Sequence, residues 1–305
     1  MRYFILSDAH SNLGALEAVM EDMKKFSPLL KPIPEHQRTD RLLYLGDAIG
    51  YMAQPNEVME AIWKNADNII IGNHDLGVYW WQNGKQNLVI EHFNPLATWA
   101  IDWTARNLAA KNKERLNILI QSEQYAHRED NLFFVHSDPK YPRAMNYITE
   151  SLDAYNFFFK HAYFNNALAF AGHIHIPQIY NARKPLPIAE DDIIGGQIKY
   201  LLPQNSPSQL ELGFNSPWFL SIAQKSPEST IERTWNLSSY TASLVVVPSI
   251  GQPRDGLPYT GYAIYDSKRQ ELTLRRLPYI VAKTQQLMRN NGFPSHLIER
   301  LSKGK

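Results

Sequence analysis

Five short apolar runs in this 305-residue chain each stop at side chains able to bind a metal ion. Tyr3-Phe4-Ile5-Leu6 leads to Asp8 and His10, and Leu42-Leu43-Tyr44-Leu45 leads to Gly46-Asp47. Ile69-Ile70-Ile71 ends in Gly72-Asn73-His74-Asp75, and Leu132-Phe133-Phe134-Val135 ends in His136. Leu168-Ala169-Phe170-Ala171 ends in Gly172-His173-Ile174-His175. A single D-x-H is common; its repetition at five run ends points to a metal centre. Mixed carboxylate, amide and imidazole donors suit Mn, Fe, Zn or Co better than Ca. The chain has no cysteine, so any metal is held by nitrogen and oxygen. In extended chain alternate residues share a side, which predicts that Asp8 converges with His10 and that His173 and His175 leave the chain together. No Ser-His-Asp spacing asks for a serine nucleophile.

Apolar runs of this length read as strands buried on both faces. Open α/β sheets bind ligands at the carboxyl ends of their strands, so five strand tips can face one site. The glycines before several ligands let backbones approach closely. Between the strands, residues 13–26 carry Leu13, Leu16, Val19, Met20 and Met23 at helical spacing, with Asn12 where an N-cap belongs. Asn12 is therefore either that cap or a substrate contact. A second helix opens at Gln54-Pro55-Asn56-Glu57, and a third at Asn94-Pro95 with an apolar stripe of Leu96, Trp99, Ala100 and Trp103. His92 and Phe93 precede it, bordering the expected cleft, and Tyr79-Trp80-Trp81 forms an aromatic patch. Residues 147–164 read as helical. Late in the chain, 244–247 resumes the sheet, a hairpin turns at Asp266-Ser267-Lys268, and polar amphipathic turns fill 283–301.

Formal net charge is +1 and 44% of residues are hydrophobic, which allows a sizeable core and argues against a global field for nucleic acid or membrane surfaces. The acidic run Glu190-Asp191-Asp192 also argues against a nucleic-acid groove. No window reaches the roughly 18 apolar residues of a membrane span, and the first residues lack a signal peptide's apolar core. A cytoplasmic protein without membrane or nucleic-acid partners is expected.

The ordered set D-x-H, G-D, G-N-H-D, H, G-H-x-H resembles the calcineurin-like metallophosphoesterase superfamily. Residues 8–19, Gly46-Asp47-Ala48-Ile49-Gly50-Tyr51, Phe93-Asn94-Pro95 and Gly251-Gln252-Pro253-Arg254-Asp255-Gly256 resemble its small prokaryotic phosphodiesterase branch. The resemblance implies a two-sheet α/β sandwich with helices on the outer faces, one domain over 1–305; it leaves 185–243 unexplained, an insertion that is a lid, a small subdomain or decoration. It implies two divalent ions, manganese first, with Fe, Zn, Co or Ni possible. Asp47 would bridge them, Asp8, His10 and His175 completing one site and Asn73, His136 and His173 the other. A metal-bridging hydroxide would attack phosphorus while His74 assists beside the phosphate, on a small or nucleotide-like phosphoester. Arg254 would grip phosphate or instead tie its turn through Asp255. The protein phosphatases' aspartate and arginine after G-D are replaced by Ala48-Ile49-Gly50-Tyr51, which leaves phosphodiesterase as the expectation. Phosphomonoesterase, or a non-catalytic scaffold with the same fold, is the alternative. The turn Ser137-Asp138-Pro139 and the approach Val247-Pro248-Ser249 depart from the family's pattern.

Overall fold

The computed structural model describes residues 1–27, 40–148, 167–182 and 229–305, and the backbone of 193–194, 197–198 and 210–214. The first half runs β1 (Arg2–Leu6), α1 (Leu13–Met23), β2 (Asp40–Tyr44), α2 (Pro55–Asn65), β3 (Asn68–Ile69), α3 (Asn73–Gln82), α4 (Gln86–His92), α5 (Pro95–Asn107) and α6 (Ala110–Gln121). Strands then dominate: β4 (Ala126–Glu129), β5 (Leu132–Val135), β6 (Ala167–Ala171), β7 (Gln178–Ala182), the ribbon β8 (Ile193–Ile194) and β9 (Gln197–Ile198), and β10 (Leu210–Phe214). β11 (Ile231–Asn236), β12 (Ala242–Val246), β13 (Thr260–Asp266) and β14 (Glu271–Leu277) follow, before α7 (Val281–Asn290) and α8 (Ser295–Lys303).

β1 is buried on both faces because its neighbours take both faces. Tyr3 and Ile5 meet Leu43, Phe134, Phe170 and Tyr265 between the sheets. Phe4 and Leu6 meet Leu16, Val19, Leu42 and Tyr262 beneath the helices. Each such side chain removed from water contributes about 1.5–3 kcal/mol. Two six-stranded sheets result, ordered β11-β14-β13-β1-β2-β3 and β10-β7-β12-β6-β5-β4. In the first, β1, β2 and β3 run parallel. In the second, β5, β6 and β12 do so. All five ligand-bearing tips thus lie at carboxyl ends of parallel strands, in the two-sheet sandwich expected.

The local signals mostly act as read. Asn12 Oδ1 accepts from Ala15 N, and Asn94 Oδ1 accepts from Leu96 N and Ala97 N ahead of Pro95. The β13–β14 hairpin pairs Asp266 with Glu271. Three features differ. The aromatic patch lies on α3, a helix that starts on Asn73, an expected ligand. Its periodicity is broken by Gly77, where a Cβ would sit 2.8 Å from Ile101 Cδ1 of α5, so the two helices pack closely there. The polar turns of 283–301 are two helices, the second ending on Gly304 at φ 61°, the left-handed C-terminal cap glycine allows. Finally, β11 lies within the expected insertion of 185–243 yet runs along β14 as the first sheet's edge, and β10 edges the second. The other parts of 185–229 fall largely outside the described residues. So does the expected helix of 147–164 beyond Ile148, and Tyr147 and Ile148 are not helical.

Candidate metal centre

The loops that carry the ligands are laced to one another. Asp8 N donates to Gly46 O (3.0 Å), His10 N to Asp47 O (3.0 Å) and Ser11 N to Ala48 O (2.9 Å). From the far end of the chain, Gly251 N donates to Asp8 O (2.8 Å). Close approach explains two glycines: a Cβ on Gly72 would lie 2.1 Å from Asp47 Oδ1, and one on Gly172 would lie 2.0 Å from Ser7 Oγ. The tips are not extended. Asp8, His10, Asp47, His173 and His175 all take positive φ, between 46° and 70°. Convergence of Asp8 with His10, and of His173 with His175, therefore comes from left-handed turns rather than from strand alternation.

Asp8, His10, Asp47 and His175 present ligand atoms within 4.8 Å of one another, and Asp47, His136 and His173 do the same. All are buried. Asn73 joins the second group, its Oδ1 3.1 Å from His136 Nε2. Asp47 belongs to both: its Oδ2 lies 3.5 Å from His10 Nε2 and 3.4 Å from His136 Nε2. Its Oδ1 accepts from His74 N (2.8 Å).

The ring orientations test whether a cation fits. A carbonyl can only accept, so His175 donates from Nδ1 to Gln252 O (2.6 Å) and His136 from Nδ1 to Leu45 O (2.7 Å). His173 donates from Nε2 to Met145 O (3.0 Å). The inward nitrogens of neutral rings are then bare lone pairs. His175 Nε2 faces Asp8 Oδ1 at 3.2 Å and His10 Nε2 at 3.1 Å; His136 Nε2 faces Asn73 Oδ1 and Asp47 Oδ2. Acceptors packed against acceptors in a buried site are stable only with a proton or a cation among them, and outward donation to carbonyls is how metal-binding histidines are oriented. The ionisation states agree. Burial pushes His10, His173 and His175 down toward the neutral ligand form, against the pull of the aspartates. Burial would raise Asp8 and Asp47, but the neighbouring imidazoles hold both below the usual carboxylate range. His136 is the exception. Burial lowers it, yet the Asp47 carboxylate lifts it above its ordinary value, so its ring carries the proton a cation would displace.

Above the candidate ligands, His10, Asp47, Tyr51, Asn73, His74, His92, Phe93, Asn94, Ala97, Tyr147, His173, His175 and Arg254 line a cavity of about 70 Å³. His74 stands 4.8 Å from the His10 ring, 4.4 Å from Tyr51 and 5.3 Å from Phe93, centroid to centroid. Its buried Nδ1 has no hydrogen-bond partner among the described residues and faces Gly50, leaving Nε2 for the cavity. Burial, with Arg254 adding to it and Asp47 opposing, lowers His74 to about 4 and keeps it neutral at pH 7. Asp75 does not orient it. That carboxylate instead accepts from the backbone N–H groups of Asp47, Ala48, Ile49 and Gly72.

Arg254 lies on the cavity wall, its Nη2 donating to Gln252 Oε1 (2.7 Å) and its backbone N to His175 O (3.1 Å). Asp255 is not its anchor: Asp255 is paired with the buried Arg276. Asn12 is fully buried and away from the cavity. Besides its cap, it donates to Gly251 O and Tyr279 Oη and accepts from Thr284 Oγ1, so no polar atom is left for substrate. Tyr51 and Tyr147 line the cavity without any sequence signal for that role. Tyr147 reaches it by stacking on the candidate ligand His173, centroids 4.2 Å apart.

A family model described as calcineurin-like phosphoesterase superfamily domain matches residues 1–189. An uncharacterized protein of Methanocaldococcus jannaschii is 27% identical over 304 residues, spanning 99% of this chain and 97% of that one. The crystal structure of a metallophosphoesterase from Sphaerobacter thermophilus superposes with a TM-score of 0.68 at 30% identity, over 100% of this chain and 99% of its own. A hypothetical protein from Pyrococcus horikoshii OT3 shares the fold, with a TM-score of 0.64 at 13% identity over 100% and 98% of the two chains. With ligand-bearing tips gathered as described and a family model covering more than half its length, the chain belongs to the calcineurin-like phosphoesterase superfamily, a family of metal-dependent phosphoester hydrolases.

Proposed function

We propose that the chain hydrolyses phosphodiesters, on a small nucleotide-like substrate, with two divalent cations of which manganese is the first choice. The observation that carries this reading is the sharing of Asp47 between the two ligand groups, since a paired-cation site needs one ligand that can bridge. Bound there, such a pair acidifies water and offsets charge on phosphate oxygens. The chain's own residues do the rest. Asp8, His10 and His175 would hold one cation, and Asn73, His136 and His173 the other, with Asp47 common to both.

His74 lines the cavity, and as a neutral imidazole it would donate a hydrogen bond to the departing ester oxygen, stabilising the charge that develops there. Arg254, on the side wall, would donate to a phosphate oxygen. The diester preference is supported by this sparse cationic lining: apart from histidines, Arg254 is the one cationic side chain among the described residues that line the cavity. A diester presents a single negative charge at phosphorus; a monoester dianion asks for more.

Metal analysis of purified protein, followed by assays against bis(4-nitrophenyl) phosphate and 4-nitrophenyl phosphate under each metal, tests the proposal. Two metal equivalents and a higher kcat/KM for the diester are expected. A preference for the monoester would reassign the substrate class. Fully loaded protein that cleaves neither would leave an interaction scaffold.

A further inference from the structure

In the loop after β12 one residue stands between a candidate ligand and the cavity's arginine. Gln252 is fully buried. Its main-chain carbonyl accepts from His175 Nδ1 (2.6 Å), and its side-chain Oε1 accepts from Arg254 Nη2 (2.7 Å). The residue is itself pinned: its N donates to Ser249 Oγ (3.0 Å), which donates to Asp8 O (3.1 Å). Arg254 N donates to His175 O (3.1 Å), drawing the loop onto the same strand tip. Pro253 disfavours helical backbone at Gln252, and in extended chain alternate side chains share a side.

Only the amide oxygen can accept from a guanidinium, so Arg254 fixes which way the Gln252 amide points. In that orientation Nε2 is buried with no partner among the described residues, and so is Arg254 Nε. An unpartnered buried donor costs stability, and a methionine of the same length would avoid that cost. What the glutamine adds is a neutral acceptor. Asp255, next to Arg254 in the chain, is paired with Arg276 instead. An amide dipole rather than a carboxylate therefore holds the Arg254 Nη2, and the guanidinium charge stays available to an anion.

We infer that Gln252 is a positioning residue for phosphate binding: its side chain holds the Arg254 guanidinium at the cavity wall without neutralising it. This rests on the role in phosphate binding given to Arg254 above.

The test uses full-length, metal-loaded protein and begins without turnover. Calorimetry with inorganic phosphate is expected to show binding by the wild type, weakened about tenfold by Gln252→Met and by Arg254→Gln. The double variant should bind no more weakly than Arg254→Gln alone, because one residue acts through the other. Gln252→Met should keep its metal and melt no lower than wild type, since the backbone bond to His175 remains and an unpartnered donor is gone. For bis(4-nitrophenyl) phosphate the loss should fall on KM more than on kcat. Unchanged phosphate affinity in Gln252→Met, no binding by the wild type, or additive losses in the double variant overturns the inference. Weaker binding that comes with lost metal or a lower melting temperature would mark a structural prop and overturns it too.

Gln252→Glu keeps an acceptor but turns the contact into an ion pair. It is expected to weaken phosphate at least as much as Gln252→Met, and wild-type affinity would refute the need for a neutral partner. Should methionine prevent folding, Gln252→Glu decides by the same titration. Wild-type phosphate affinity in Arg254→Gln would remove the role of Arg254 and the inference together. Failure to cleave the ester would sink the phosphodiesterase reading, while the phosphate titration would still decide the inference.

Discussion

Asp75→Asn probes what holds the two halves of the centre in register. The Asp75 side chain is fully buried, with Oδ2 accepting from Asp47 N (2.8 Å) and Gly72 N (3.1 Å), and Oδ1 accepting from Ala48 N (3.0 Å) and Ile49 N (3.3 Å). One carboxylate thus ties the loop carrying Asp47, common to both candidate ligand groups, to the helix start carrying Asn73 and His74. Asparagine keeps one accepting oxygen and turns the other into an NH₂ group facing two N–H donors. Two hydrogen bonds to a charged acceptor are lost, worth about 1.5–3 kcal/mol each. Part of that loss is offset in the metal-free protein, because burial first and the Asp47 charge second push the Asp75 carboxyl up and make its ionised form costly. Cations on Asp47 reverse that balance, and the ionised Asp75 then helps hold them. The deficit is therefore expected chiefly in metal affinity, at about 10–100-fold, the cost typical of losing a group that supports ligands without touching the metal. A chelator-competition titration measures it.

Asp22→Asn is the control. Asp22 sits at the opposite end of α1, ten residues and about 15 Å along the axis from Asn12. It should lower the melting temperature without moving metal affinity. If Asp75→Asn binds metal as tightly as wild type, or if Asp22→Asn weakens metal as much, the reasoning fails.

Further outcomes follow from the same geometry. His74→Ala should keep both metals and lose roughly 10²–10⁴-fold in turnover, whereas Asp47→Asn should lose metal as well; metal analysis beside initial rates separates the two. Gly50→Ala should cost about 1–3 kcal/mol and depress turnover: φ is 131° there, and a Cβ would lie 2.8 Å from His74 Nδ1. Wild-type thermal stability with normal rates would contradict the crowding. Burial would raise Asp22, but Arg275, Lys25 and Tyr262 hold it below its ordinary value. A carboxyl depressed in the folded state stabilises above its unfolded pKa of about 3.9, and that stability is lost as pH falls through the folded value. Wild type should therefore destabilise in that acid range more steeply than Asp22→Asn, as read from denaturant midpoints against pH.

The ligand types were legible because each follows an apolar run, and burial on both faces leaves such runs few places in a sheet. Their geometry was not. Alternation suggested extended chain at Asp8 and His10, but positive φ is set by the backbone hydrogen bonds to Gly46, Asp47 and Ala48, which arrive from another loop. α3 was hidden because Gly77 serves contact with α5 rather than helix propensity. The role of Asp75 depends on four N–H groups brought by two loops, and Arg300 reaches Tyr51 from the opposite end of the chain with no motif around it. β11 was missed because an edge strand is exposed on alternate residues and lies among prolines and polar residues that read as a loop.

The stitching of the first tip to the last loop carries a consequence for how the protein comes into being. Asp8 shares its ligand group with His175, and its carbonyl is held by Gly251 and Ser249. No emerging nascent chain can complete this bracing of the Asp8 loop until some 250 residues have left the ribosome. The frame around the ligand group is thus closed late in synthesis, a seal on a finished architecture rather than the seed of one.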